Sequence, residues 1–285
     1  MKRVSVFLAV VAAFGVAAAS AAWASAPEYG VCVPMKKGAY EVASCEVIVG
    51  KKGKERGLYE WHPAGTCYAM KKGYYTEGEC KTVAEKKGKP DHKGGFELAP
   101  TPTYTSVTGA VRMTFAPPLA GEATCDAGSD EGQVLGPKSG AELVQLTGCE
   151  MRGEKCENTS TAGEISSNEL ETTLIEPRGG TAAEELANAH GAGAPYSVEF
   201  FCEQIGYFRT KGSLAGRLTP VDVMSASLQT VFEAGYGQQL VTEYSETGAP
   251  GSWTGEADGA AGEAATEELL SATSTNSAAI EVKVI

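Results

Sequence analysis

The sequence predicts a mainly β protein: two small disulfide-stapled β-hairpin repeats followed by an antiparallel β-sandwich or barrel-like domain with one short helix. Three observations carry that expectation. Runs rich in β-branched and aromatic residues alternate with glycine along most of the chain. Eight cysteines follow an export-type leader. Residues 32–54 recur at 67–89 with an offset of 35. The 35 glycines among 285 residues exceed the usual share of about 7% and imply many tight turns. At 42% hydrophobic and 21% charged residues, the composition is that of a folded globular chain.

Met1-Lys2-Arg3 opens a run without charge from Val4 to Pro27, apolar first and then rich in small residues, which has the layout of a secretory signal. Cleavage after Ala24 satisfies the small-x-small rule; cleavage as late as Ala26 also fits but leaves Pro27 just past the cut. The expectation is a signal peptide over 1–24 and a secreted or cell-surface protein, with no membrane span once the signal is removed. In an oxidising compartment Cys32, Cys45, Cys67, Cys80, Cys125, Cys149, Cys156 and Cys202 are expected to form four disulfides. No C-x2-C or C-x4-C pair occurs, so a zinc site is not expected.

The repeats come next. Cys32-x3-Lys36-Lys37-Gly38-x-Tyr40-x4-Cys45 is answered by Cys67-x3-Lys71-Lys72-Gly73-x-Tyr75-x4-Cys80. After a two-residue insertion, Gly57-Leu58-Tyr59-Glu60-Trp61 corresponds to Gly94-Gly95-Phe96-Glu97-Leu98. A unit of this size needs a staple, which Cys32–Cys45 and Cys67–Cys80 supply. Each unit, about 27–62 and 63–99, reads as a disulfide-closed hairpin turned at Lys-Lys-Gly, with another short strand at Tyr59 or Phe96. Residues 27–100 carry 13 Lys/Arg against 10 Asp/Glu, and 101–285 carry 9 against 26. Pro100-Thr101-Pro102 reads as the linker to an acidic β-sandwich-like domain over 103–285.

In that domain strands are expected at Thr105–Phe115, Ala141–Cys149, Tyr196–Ile205, Ser225–Phe232 and Ala278–Ile285. Val198, Phe200 and Cys202 alternate with polar residues. The helix is placed at Thr181, whose capping box with Glu184 precedes Ala-Ala-Glu-Glu-Leu-Ala and a stop at Gly191. The stretch Gly259–Ser271 suits helix or strand. Cys125, Cys156 and Cys202 are each followed by a polar segment and then glycine, which suggests a strand ending in cysteine, a loop, and a strand opening with glycine. Cys149 and Cys156 flank six residues and are expected to close a hairpin, leaving Cys125 for Cys202.

The stapled repeat, then Gly163-Glu164-Ile165 with Leu170 and Leu174, then the run Gly212 to Val221, resembles a group of secreted, cysteine-containing actinobacterial proteins of unassigned function. The resemblance implies export and a β-rich body and brings no activity with it.

Catalytic signatures are missing: there is no G-x-S-x-G, no S-x-x-K and no cysteine to spare. His62, His92 and His190 stand in no catalytic constellation. Asp126–Gly132 reads as an acidic loop, but its third position is Gly128 and its twelfth Pro137, unlike an EF-hand. No catalytic residue, metal or cofactor is therefore assigned. The expected contact surface is Lys36, Lys37, Tyr40, Tyr59, Trp61, Lys71, Lys72, Tyr75 and Phe96, aromatic faces beside cations that suit a cell-wall polymer, a glycan or an acidic protein surface. The acidic net charge of -12 argues against nucleic acid. The alternative is an extracellular hydrolase using carboxylates of the acidic domain.

Overall fold

The computed structural model describes residues 27–49, 57–86, 89–115, 121–176, 183–188, 196–232, 234–235, 238–239, 253–257 and 264–284. The leader, the capping-box residue Thr181, His190 and the lysines at 51, 52 and 87 lie outside them. The protein is mainly β, as expected.

Each repeat is one antiparallel pair. Strand β1 (Glu28–Gly38) pairs with β2 (Gly57–Pro63), and β3 (Cys67–Gly73) with β4 (Gly94–Leu98). The staples are Cys32–Cys45 and Cys67–Cys80. Lys-Lys-Gly is not the turn of a hairpin closed by its cysteines. It lies at the end of the first strand as a bulge: between Pro34↔Tyr59 and Gly38↔Gly57 three residues face one, and the same occurs between Ala69↔Phe96 and Gly73↔Gly94. The positive φ falls on the second lysine, 75° at Lys37 and 121° at Lys72. Glycine is needed for another reason: a Cβ on Gly38 would strike the Tyr59 carbonyl, and one on Gly73 the Phe96 carbonyl. The cysteine-closed loop then folds back, with Cys45 and Cys80 at φ 53° and 52°.

The barrel strands are β5 (Thr103–Thr108), β6 (Val111–Phe115), β7 (Gly121–Cys125), β8 (Ala127–Val134), β9 (Ser139–Thr147), β10 (Glu150–Met151), β11 (Glu154–Glu157), β12 (Leu170–Ile175), β13 (Ala183–Asn188), β14 (Val198–Cys202), β15 (Gly206–Thr219), β16 (Ser225–Phe232), β17 (Trp253–Ala257) and β18 (Ala264–Lys283). Their antiparallel pairing returns on itself twice. A proximal ring runs β5–β8–β9–β12–β13–β15–β16–β18 and back to β5. A distal ring runs β6–β7–β10–β11–β14–β15–β17–β18 and back to β6. The chain crosses both rings up and down, so sequential segments are neighbours and no edge strand is left in either ring.

The expected helix is corrected here. Ala183–Asn188 is a strand paired on both sides, to β12 through six residues and to β15 through five. Two backbone ladders outweigh the local preference of Ala and Glu for helix. The ambiguous segment is strand where it is described, as the start of β18. Asp126–Gly132 is not a loop: β8 begins at Ala127, directly after β7, and its even-numbered residues face the barrel interior. Likewise Gly132 and Gly212 sit within strands rather than opening them.

Alternation builds the interior. In the distal ring Val111, Met113, Phe115, Val198, Phe200 and Phe208 point inward and are buried, with Phe200 stacked on Phe208 at 5.5 Å. The cysteines join this core, but not in the expected pairs: the bonds are Cys125–Cys149 and Cys156–Cys202. The four lie in a row across β7, β10, β11 and β14. Cys149 and Cys156 are indeed neighbours, since the Cys156 N–H donates to the Cys149 carbonyl at 3.0 Å. Each nevertheless bonds outward, where the Cα–Cα separations are 3.9 and 4.0 Å. Bonding the middle two would leave Cys125 and Cys202 with two strands between them.

The first strand of the repeats also belongs to the barrel sheet. Glu28–Gly30 pairs with Glu281–Lys283, the end of β18. Tyr29 enters an apolar layer with Val134, Leu174, Leu218, Leu228 and Ile280 at the proximal end. The second repeat packs on the first through Val31, Val33, Tyr68 and Ala99.

Candidate functional site

The repeats build the same small frame twice. Tyr40 bridges Ile48 on one side and Tyr59 on the other; Tyr75 bridges Val83 and Phe96. Directly opposed residues of an antiparallel pair share a face, so each repeat carries a row of one aliphatic and two aromatic side chains. The hydrogen bonds that frame the row correspond. Ala39 N–H donates to Glu60 Oε2 at 2.6 Å and Tyr74 N–H to Glu97 Oε2 at 3.0 Å. Tyr40 and Tyr59 exchange backbone bonds at 3.0 and 3.1 Å, as Tyr75 and Phe96 do at 2.9 and 3.1 Å.

Tyr40, Tyr59, Tyr75 and Phe96 are half-buried, and Ile48 is 69% exposed. Lys36, Lys37, Lys71 and Lys72 are exposed on the bulges just before Tyr40 and Tyr75. Among the described residues no acid forms an ion pair with any of the four. Each repeat thus carries its two lysines just before Tyr40 or Tyr75, with Tyr59 or Phe96 opposite on the partner strand. Trp61 is placed elsewhere: its ring covers Gly30 and takes Lys283 Nζ at 4.8 Å, so it serves the junction with the barrel.

Residues not singled out in the sequence complete the rows. Ile48 and Val83 recur at the repeat offset of 35, which was the available signal. Tyr74 meets Tyr75 edge-on at 5.3 Å and His92 at 5.4 Å, extending the aromatic surface of the second repeat.

His62 stacks on Tyr68 at 4.2 Å where the two repeats meet. Burial pushes its pKa down, against the pull of Glu60, while burial and then Glu97 push the Tyr68 hydroxyl up. A histidine with a lowered folded-state pKa favours the folded state fully only above its ordinary value near 6.5. As pH falls through that value the unfolded chain takes up the proton first and stability drops. Thermal unfolding from pH 7.5 to pH 5 is therefore expected to show a decrease in Tm that is smaller in His62→Phe. Equal decreases in the two proteins would remove His62 from the account.

Four disulfides fit an oxidising compartment. Among the described residues no helix is long and apolar enough to cross a membrane. Comparison with protein-family models, with curated proteins and with solved structures finds no match.

Proposed function

We propose that this is an exported, non-enzymatic binding or structural protein of the cell surface, whose basic aromatic repeats contact an anionic or glycan polymer. One observation carries the reading: the aromatic row is built twice in one hydrogen-bonded frame, each copy beside two exposed lysines that have no acid partner among the described residues. Ring faces take the apolar faces of sugars, and the ammonium groups take carboxylates or phosphates. The two copies are packed together through Val31, Val33 and Tyr68. A repeating polymer that engages one copy therefore meets the second at high effective concentration. The same lysines suit an acidic protein surface, which is the next partner to try.

The test is co-sedimentation of the mature chain with isolated cell-wall material across a salt series. Binding is expected at low salt and to fade as salt rises, because the exposed charges are screened. Replacing Lys36, Lys37, Lys71 and Lys72 together by alanine is expected to weaken it about tenfold, from four exposed charges each contributing a few tenths of a kcal/mol. A mature chain that stays in the supernatant at the lowest salt sinks the proposal. Point variants are the cleaner instrument, since removing residues up to Thr101 would also take Tyr29 out of the barrel.

A further inference from the structure

The interior of the proximal ring is stratified. An apolar layer containing Val134, Leu174, Leu218 and Tyr29 closes the end towards the repeats, and the phenylalanine core fills the distal ring. Between them polar inward positions mix with apolar ones: Ser106, Thr108, Asp130, Glu142, Thr172 and Asn276 are buried, with Val144 opposite Asp130 and Leu170 opposite Glu142. Asp130 is 8% exposed and Glu142 6%. Asp130 faces Ser106 across the β5–β8 pair, and Glu142 accepts from the Tyr104 hydroxyl at 2.8 Å.

Such a layer is costly unless its groups are satisfied. Among the described residues Ser106 Oγ, Thr108 Oγ1, Thr172 Oγ1 and Asn276 Nδ2 are buried and have no hydrogen-bond partner. These orphaned groups come from β5, β12 and β18 and face the same interior as the two carboxylates, which points to an occupant.

The donor set names its class. Carboxylate, hydroxyl and amide oxygens without sulfur or imidazole suit a hard cation. An amide flip at Asn276 turns its oxygen inward in place of the unpartnered nitrogen. Asp130 lies opposite Val144, so Glu142 is its diagonal neighbour on β9. Their Cβ atoms are then about 7 Å apart, within reach of one ion held at roughly 2.4 Å by each. The apolar layers at both ends suit an ion captured as the chain folds better than an organic ligand that needs an entrance.

We propose that the polar layer of the barrel holds one calcium-type divalent cation, with Asp130 and Glu142 as its carboxylate ligands and hydroxyl and amide oxygens completing the shell. The site is independent of the repeat surface and serves stability.

The experiment uses the oxidised mature chain. Metal content is read by mass spectrometry after dialysis, and thermal unfolding is followed after chelation with CaCl2, MgCl2 or KCl of equal ionic strength added back. The expected results are about one bound calcium per chain, or a Tm rise of about 5 °C with CaCl2 well above its Kd and none with KCl. Asp130→Asn is expected to lose the calcium-dependent rise. Should that variant fail to fold, Thr172→Val removes a single hydroxyl and should reduce the rise. A chain that retains no metal and melts alike in CaCl2 and KCl overturns the proposal. The four-lysine variant should keep the calcium response whether or not it binds polymer, so the two proposals fail separately.

Discussion

Replacing Cys156 and Cys202 together by alanine is expected to lower the unfolding free energy by about 4 kcal/mol, the chain-entropy value for a bond closing a loop of this length. The bond spans 46 residues, against 24 for Cys125–Cys149 and 13 for each repeat staple. It ties the directly opposed residues of β11 and β14, on either side of a segment that contributes β12 and β13 to the proximal ring. Without it, the distal ring is held at that point by the short pairing of Cys156 and Glu157 with Phe201 and Cys202 and by two flanking hydrogen bonds, from Glu203 N–H to the Lys155 carbonyl and from Asn158 Nδ2 to the Glu199 carbonyl. Urea denaturation followed by circular dichroism measures the loss, and a change under 1 kcal/mol would contradict it. The same variant tests the pairing directly. In that variant Cys125 and Cys149 remain and are expected to stay bonded, with no thiol open to a thiol reagent.

The cysteine row shows how far spacing can be read. Six intervening residues placed Cys149 and Cys156 on neighbouring strands, and they are neighbours. What spacing does not contain is the strand on the far side of each, because β7 and β14 arrive from elsewhere in the chain. The repeat was legible down to its two-residue insertion, since tandem copies compare a sequence with itself. The glycines of Lys-Lys-Gly were misread for a physical reason: a glycine at a turn and a glycine under a crossing carbonyl look alike in sequence, and only the partner strand tells them apart. The helix at Thr181 failed in the same way, as good local signals gave way to two ladders, one with Leu170–Ile175 just before it and one with residues about thirty positions on. Inward-facing Asp130 lay in a stretch so polar that it read as loop, and the barrel interior could not be seen before the rings closed.

Tyr29→Ala is expected to cost about 4 kcal/mol, in the range for emptying a buried aromatic site. The residue lies where the pairing of β1 begins, at the edge of the repeats, yet it is only 4% exposed. Two features hold it: its N–H donates to the Pro137 carbonyl at 2.6 Å, and its neighbours Glu28 and Gly30 are paired with Lys283 and Glu281. The ring fills the apolar layer that closes the proximal end, against Val134, Leu174, Leu218 and Ile280. Alanine leaves a cavity there that no adjacent side chain can fill without leaving its own rotamer. Tyr29→Phe keeps the ring and is expected to keep most of the stability. Trp61 reports the junction, since its ring lies over Gly30 and beneath Lys283. In Tyr29→Ala its fluorescence should shift towards that of a solvent-exposed indole before the barrel unfolds. The repeats keep their own disulfides in this variant, so loss of the dock is expected to give two transitions where the docked chain is expected to give one. A single transition with a loss under 1 kcal/mol would mean that Tyr29 does not hold the repeats to the barrel.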